Sequence, residues 1–277
     1  MSDAATQART KAAATYNAAA DFYEHPALSF WDRFGRRTVE RLGLRPGEMA
    51  LDVCCGAGAS AIPAAEQVAP TGRVVAVDLA ENLLKLAQAK CRECGISNVE
   101  FRAGDMLNLG YPAGMFDAAI CVFGIFFVPD MESAVRELWR MVKPGGKLAI
   151  TTWGPNLFES ANSIFWEAIA RERADLREGF HPWDRICDPA GVQAMLRGGG
   201  VETADIVAET GTHPFTSPND WWPIVLGSGY RGTIDQLPPD ARERVRQAML
   251  HQLRDRQITA VQTNVVYARA VKSVASR

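Results

Sequence analysis

The residues best suited to chemistry form the run Leu51-Asp52-Val53-Cys54-Cys55-Gly56-Ala57-Gly58-Ala59. Gly56 and Gly58, separated by one residue, let the backbone approach a ligand closely. A helix beginning just after them would offer unpaired N–H groups to the same ligand. About twenty residues on, Val74, Val75 and Val77 lead to Asp78, a carboxylate placed to accept both hydroxyls of a ribose. Further along, Gly104-Asp105-Met106 falls where an adenine would lie. Each piece alone has an ordinary explanation, as a turn or a strand-end cap. Their order, each at the C-terminal end of a successive strand, points to a nucleotide-type ligand at the edge of an open sheet.

Four short apolar runs supply the strands that such a site needs: Met49–Cys55, Arg73–Leu79, Asp117–Phe123 and Lys147–Trp153. They are near-continuously apolar rather than alternating, the pattern of strands buried on both faces of a parallel sheet. Helical spacing lies between them. Leu84, Ala87, Cys91 and Cys94 share a face that Gly95 closes. Val135, Leu138, Trp139 and Val142 share another, with Asp130 as N-cap, Glu132 in the first turn and a stop at Lys143-Pro144-Gly145-Gly146. Strand and helix alternate, which predicts right-handed βαβ units in a doubly wound α/β sheet. Residues 1–45 read as an N-terminal helical segment rich in aromatics, including Tyr16, Phe22, Tyr23, Phe30, Trp31 and Phe34. After Trp153 the pattern predicts a helix over Pro189–Leu196, strands over Val201–Ala208 and Val261–Val271, and a helical insertion over Thr216–Leu250.

The loop departs from a dinucleotide fingerprint. Cys54 stands at its first glycine position and its third glycine is missing around Ala59–Ile62. Asp52 would repel a pyrophosphate but favour a cationic amino or sulfonium group, by roughly 1–4 kcal/mol at ~4 Å in partly solvated surroundings. That chemistry is S-adenosylmethionine's. At these residues the sequence resembles the class I S-adenosylmethionine-dependent methyltransferases, particularly the ubiquinone/menaquinone-biosynthesis-like small-molecule group. The resemblance runs from about Tyr16 to Trp153 through Leu51–Gly58, Val77-Asp78-Leu79, Gly104-Asp105-Met106, Phe116-Asp117 and Leu138–Gly146. Glycine is usual in that family where this chain has Cys54. The resemblance implies a Rossmann-like, mostly parallel seven-stranded sheet spanning residues 46–277, with helical cover at about 155–197 and 216–255. It implies Gly56 and Gly58 beside the methionine moiety, Asp78 and Leu79 at the ribose, and Gly104, Asp105 and Met106 at the adenine. Asp52 would order the loop, Cys121 to Phe123 would line the methionine end, and Tyr16 and Cys54 would complete the cofactor set.

Methyl transfer displaces a leaving group already activated by its positive charge, so alignment and exclusion of water matter most. A base is needed only where the nucleophile must lose a proton. Tyr23 and His25 in the N-terminal segment are the catalytic candidates, with His181 and His213 in the cover behind them. All three histidines directly precede proline, which equally suits loop or capping roles. Phe123, Phe126, Phe127 and Trp153 could hold a planar apolar substrate, or simply fill core.

Thirty basic against 32 acidic residues give a formal charge of −2 over 277 residues, which offers no surplus for nucleic acid. No apolar run approaches the ~18–20 residues that cross a bilayer. Cys91-x-x-Cys94 has no second Cys/His pair of matching spacing, so no metal site is expected. Met1–Ala20 has no continuous apolar stretch of a secretory signal, and a cytoplasmic chain is expected. The oligomeric state is not legible. Two other readings stay open: a nucleotide-dependent oxidoreductase, and a non-catalytic protein that retains the fold.

Overall fold

The computed structural model describes residues 3–177 and 181–274. The chain begins with α1 (Asp3–Tyr23) and α2 (Phe30–Leu42), then β1 (Met49–Val53), α3 (Ala61–Val68), β2 (Arg73–Asp78), α4 (Glu81–Glu93) and β3 (Val99–Ala103). β4 (Phe116–Val122), α5 (Met131–Met141), β5 (Val142–Trp153), α6 (Ala161–Glu172) and α7 (Pro189–Gly198) follow. The remainder is β6 (Asp205–Glu209), β7 (Thr212–Pro214), α8 (Trp221–Leu226), α9 (Arg231–Ile234), α10 (Pro239–Asp255), β8 (Ala260–Gln262) and β9 (Val265–Val271).

The main sheet has seven strands in the order β3-β2-β1-β4-β5-β9-β6. β1 to β5 pair in parallel, and β9 runs antiparallel to both β5 and β6. The strand order reverses between β1 and β4, so their C-terminal ends open the crevice where such sheets bind ligands.

The apolar runs form central strands because they feed two cores at once. Leu51, Val53, Val75, Val77, Ala119 and Cys121 face one core. Their neighbours Ala50, Val74, Ala76, Ala118 and Ile120 face the other, with α3 and the C-terminal half of α2. β3 reads Val-Glu-Phe-Arg-Ala and stays largely exposed, as the sheet edge permits.

The later elements shift from the sequence expectation. Lys143-Pro144-Gly145-Gly146 belongs to β5 rather than to a stop before it. The strand predicted over Val201–Ala208 begins only at Asp205. The run Val261–Val271 is broken because Asn264 turns its side chain to backbone: Nδ2 donates to Pro155 O at 2.8 Å and Oδ1 accepts from Gly211 N at 3.0 Å. β8 therefore pairs with β7 in a separate two-stranded sheet. Of the pair predicted on one helix face, Cys91 is buried, whereas Cys94 is exposed at the end of α4. Met1, Ser2, residues 178–180 and residues 275–277 of the predicted spans lie outside the described residues.

Candidate functional site

The turn after β1 is built from backbone. Cys54, Gly56 and Gly58 take φ of 59°, 54° and 87°, the left-handed region where glycine is favoured. Cys54 is accommodated at such a position because Gly124 faces it. A Cβ on Gly124 would lie 2.4 Å from the Cys54 Cβ, and the Cys54 thiol is hydrogen-bonded to Cys121. Gly58 serves packing: a Cβ there would stand 3.1 Å from Ile62 and 3.2 Å from Ala87.

Asp78 ties this turn to the next helix. Its Oδ2 accepts the Gly56 N–H and its Oδ1 the Ala80 N–H, both at 2.8 Å. Burial raises its proton affinity and these N–H bonds pull it back. A carboxylate offers about four lone-pair sites, so it retains capacity for further hydroxyl donors. Asp52 is fully buried beneath the turn, where Ser60 Oγ donates to its Oδ2 at 2.7 Å and its Oδ1 has no partner. Burial pushes its pKa up to about 7.

A cavity opens above the turn, with about 1240 Å³ of empty space including its open mouth. Tyr16, Cys54, Gly56, Asp78, Leu79, Gly104, Asp105, Met106 and Phe123, all expected at a cofactor, line it together. Asp52, Gly58 and Cys121 do not: they stand behind the wall, and each shapes or supports it. Asp52 therefore does not meet a ligand cation as its type and position predict, since no face of its carboxylate reaches the cavity. At the adenine end, Asp105 Oδ1 accepts Leu107 N–H at 3.0 Å and its Oδ2 pairs with Arg9 Nη1 at 2.9 Å.

The other end is aromatic. Phe123 and Trp153 stack at 3.9 Å between centroids, and Trp31 sits 5.7 Å from the first and 5.6 Å from the second. Phe126 and Phe127 extend this wall, the latter meeting Tyr16 edge-on at 5.4 Å. Tyr23 stacks on Trp31 at 5.6 Å, and its hydroxyl lies 3.5 Å from where a Gly56 Cβ would stand. Burial raises the proton affinity of both tyrosines, and Asp78's charge adds to it. Both phenols stay protonated donors.

His25, placed beside Tyr23 by sequence, lies outside the cavity. Its Nδ1 accepts the Ala27 N–H at 3.2 Å and so caps the short turn Pro26–Leu28. His181 stacks on Trp183 at 4.4 Å, and His213 meets the edge of Phe30 at 5.2 Å, where burial lowers its proton affinity. Neither lines the cavity. Sequence reasoning missed Arg9 and Leu83, which do line it: neither sits in a motif, and α1 folds back over the site only through tertiary packing. Among the described residues no group of three or more His, Cys, Asp and Glu side chains could hold a metal ion.

The model of the ubiE/COQ5 methyltransferase family matches residues 10–163, more than half the chain. The demethylmenaquinone methyltransferase of Listeria welshimeri is 37% identical over 126 residues, 45% of this chain and 53% of that one. The enzyme of that name from Lactococcus lactis is 34% identical over 156 residues, 55% of this chain and 60% of that one. The match thus spans little more than half the length of these relatives. The crystal structure of the YcgJ protein from Bacillus subtilis superposes with a TM-score of 0.58 at 19% identity, covering 88% of this chain and 100% of that one, and shares the fold. The family match takes in the turn after β1, Asp78, Asp105 and the aromatic wall from Trp31 to Trp153, and the chain belongs to the ubiE/COQ5 methyltransferase family.

Proposed function

We propose that this protein transfers the methyl group of S-adenosylmethionine to a small, planar, apolar acceptor. The observation that carries this is one cavity with two unlike ends: the Asp78-clamped turn at one, and the Trp31–Phe123–Trp153 cluster at the other. The residues present fit the cofactor. Asp78 has lone pairs left for ribose hydroxyls, Gly56 leaves open a space a side chain would fill, and Gly104 does the same beside Val77, 2.9 Å from its missing Cβ. Bound there, S-adenosylmethionine supplies a methyl group activated by a sulfonium charge.

In this reading Asp78 and Leu79 hold the ribose, and Asp105 with the Met106 N–H holds the adenine. Gly56 and Cys54 border the methionine moiety. The aromatic wall orients the acceptor and keeps water away, which is where most of the protein's contribution to such a displacement lies. Tyr16 and Tyr23 are raised in proton affinity, so they serve as hydrogen-bond donors rather than bases. The acceptor then brings its own electron-rich atom, as a hydroxylated aromatic ring does. The relatives named for demethylmenaquinone support that choice. Residues 1–45 act as a lid over the domain of residues 46–277, because Arg9, Tyr16, Tyr23 and Trp31 all face the cavity.

The balanced charge supports a small-molecule rather than a nucleic-acid partner. Among the described residues no helix is long and apolar enough to cross a membrane. The six free cysteines support work in a reducing compartment such as the cytoplasm. The test is to incubate the purified chain with S-adenosylmethionine and a panel of naphthoquinols, phenols and amines, measuring S-adenosylhomocysteine and product mass. Methylated quinol or phenol is expected; turnover confined to amines, or none with any acceptor, would overturn the reading.

A further inference from the structure

A second cavity lies away from the first, between α2 and one face of β5, β9 and β6, with about 570 Å³ of empty space including open solvent. Its floor follows from strand register. Ala149, Arg269 and Asp205 form one cross-strand row, and Thr151, Tyr267 and Val207 the next. Thr38, Arg41 and Leu42 of α2 close it from above.

The polar groups here sort by hydrogen-bonding role. Thr38 Oγ1 donates to Phe34 O at 2.8 Å and sits 2.7 Å from Thr151 Oγ1, so those hydroxyls satisfy each other. The Tyr267 hydroxyl, on a residue only 4% exposed, has no partner. Arg41 Nε, also shielded, has none either, although the same guanidinium pairs with Glu209 and lies 4.8 Å over the Tyr267 ring. Arg269 makes one long bond, Nε to Leu42 O at 3.4 Å, and no ion pair among the described residues. Leaving a buried donor unpaired costs free energy. The two unmatched buried groups, Arg41 Nε and the Tyr267 hydroxyl, can both donate, and beside them the half-buried Arg269 makes only its one long bond. The charged groups around them are Arg33, Arg37 and Arg41 along α2 and Arg269 on β9, against Glu40 on α2, which pairs with Arg37, and Glu209 and Asp205 on β6. Positive charge is in excess.

We propose that this notch is a second ligand site, which takes a small oxyanion group, a carboxylate or a phosphate, on Arg269, Arg41 Nε and the Tyr267 hydroxyl. The proposal stands apart from the methyl-transfer reading, since none of these residues lines the main cavity.

Calorimetric titration of the full chain tests this, with inorganic phosphate in one arm and acetate in the other, at ionic strength held constant with sodium chloride. One saturable site is expected in at least one arm, unchanged by saturating S-adenosylhomocysteine, and the tighter arm identifies the group. Arg269→Gln is expected to weaken it by about tenfold or more, and Tyr267→Phe, which keeps the ring, by about threefold. Binding no different from the chloride control overturns the proposal. So does binding that survives both substitutions, or binding that S-adenosylhomocysteine displaces.

Discussion

The two ends of the main cavity are built on different physics. At the turn after β1, a few backbone N–H groups converge on one carboxylate, and position is set by φ angles and 2.8 Å bonds at Asp78. At the acceptor end and in the cover behind it, position is set by packing. Trp31, Phe123 and Trp153 come from α2, the residue just after β4 and the end of β5, and Trp221 of α8 is wholly buried. A polar turn tolerates few residue types at each point, whereas an apolar wall accepts many combinations of similar volume. Cofactor capture should therefore be sensitive to single polar atoms, and the cover to lost volume.

The largest effect expected on this contrast is in the cover. Trp221→Ala should lower stability by about 3–5 kcal/mol in denaturant unfolding, while S-adenosylmethionine affinity of the folded fraction stays within about twofold. An equal loss of affinity would break the distinction between the two regions.

Next is the electrostatics beneath the turn. With a pKa near 7, Asp52 keeps its proton in the folded protein at a pH where the unfolded chain has released it. Between about pH 4 and pH 7 the folded state thus binds more protons, and stability falls as pH rises through that window, by up to about 4 kcal/mol. Asp52→Asn should flatten this pH dependence in thermal melts while keeping the Ser60 bond; an unchanged slope would show that another group is responsible.

Gly35 joins the two regions, since a Cβ on it would lie 2.3 Å from Ala59 O in the turn. Gly35→Ala should push α2 off the turn and cost about 1–3 kcal/mol by overpacking, with weaker cofactor binding measured alongside. The smallest effect is at His25. His25→Ala loses one exposed cap, about 1 kcal/mol or less, and should leave the transfer rate within about twofold. A rate drop of about a hundredfold in single turnover would return His25 to the chemistry.

How far each region could be read from sequence follows from the same contrast. β1, β2, β4 and the start of the cofactor turn were legible because buried parallel strands are apolar throughout and because Gly56, Gly58 and Asp78 are needed as types, not merely as volumes. The strand break at Thr263-Asn264 was not, since Val261–Val271 is apolar enough to continue and only the distant Pro155 and Gly211 backbones divert Asn264. Asp52 illustrates the limit within the site itself. Its type and spacing suggested a ligand contact, but strand alternation turned its carboxylate under the turn to Ser60. Arg9 left no signal, because a single arginine on an alanine-rich helix acquires a role only once α1 crosses Asp105.

The central claim is that Asp78 organises an S-adenosylmethionine site. Isothermal calorimetry of the wild type and Asp78→Ala with S-adenosylmethionine, with NADH titrated in parallel, tests it directly. Saturable binding of the methyl donor alone is expected in the wild type, weakened by about a hundredfold in the variant, as loss of charge-assisted hydrogen bonds implies. Equal affinity in both proteins, or binding of NADH in place of the methyl donor, would contradict the account.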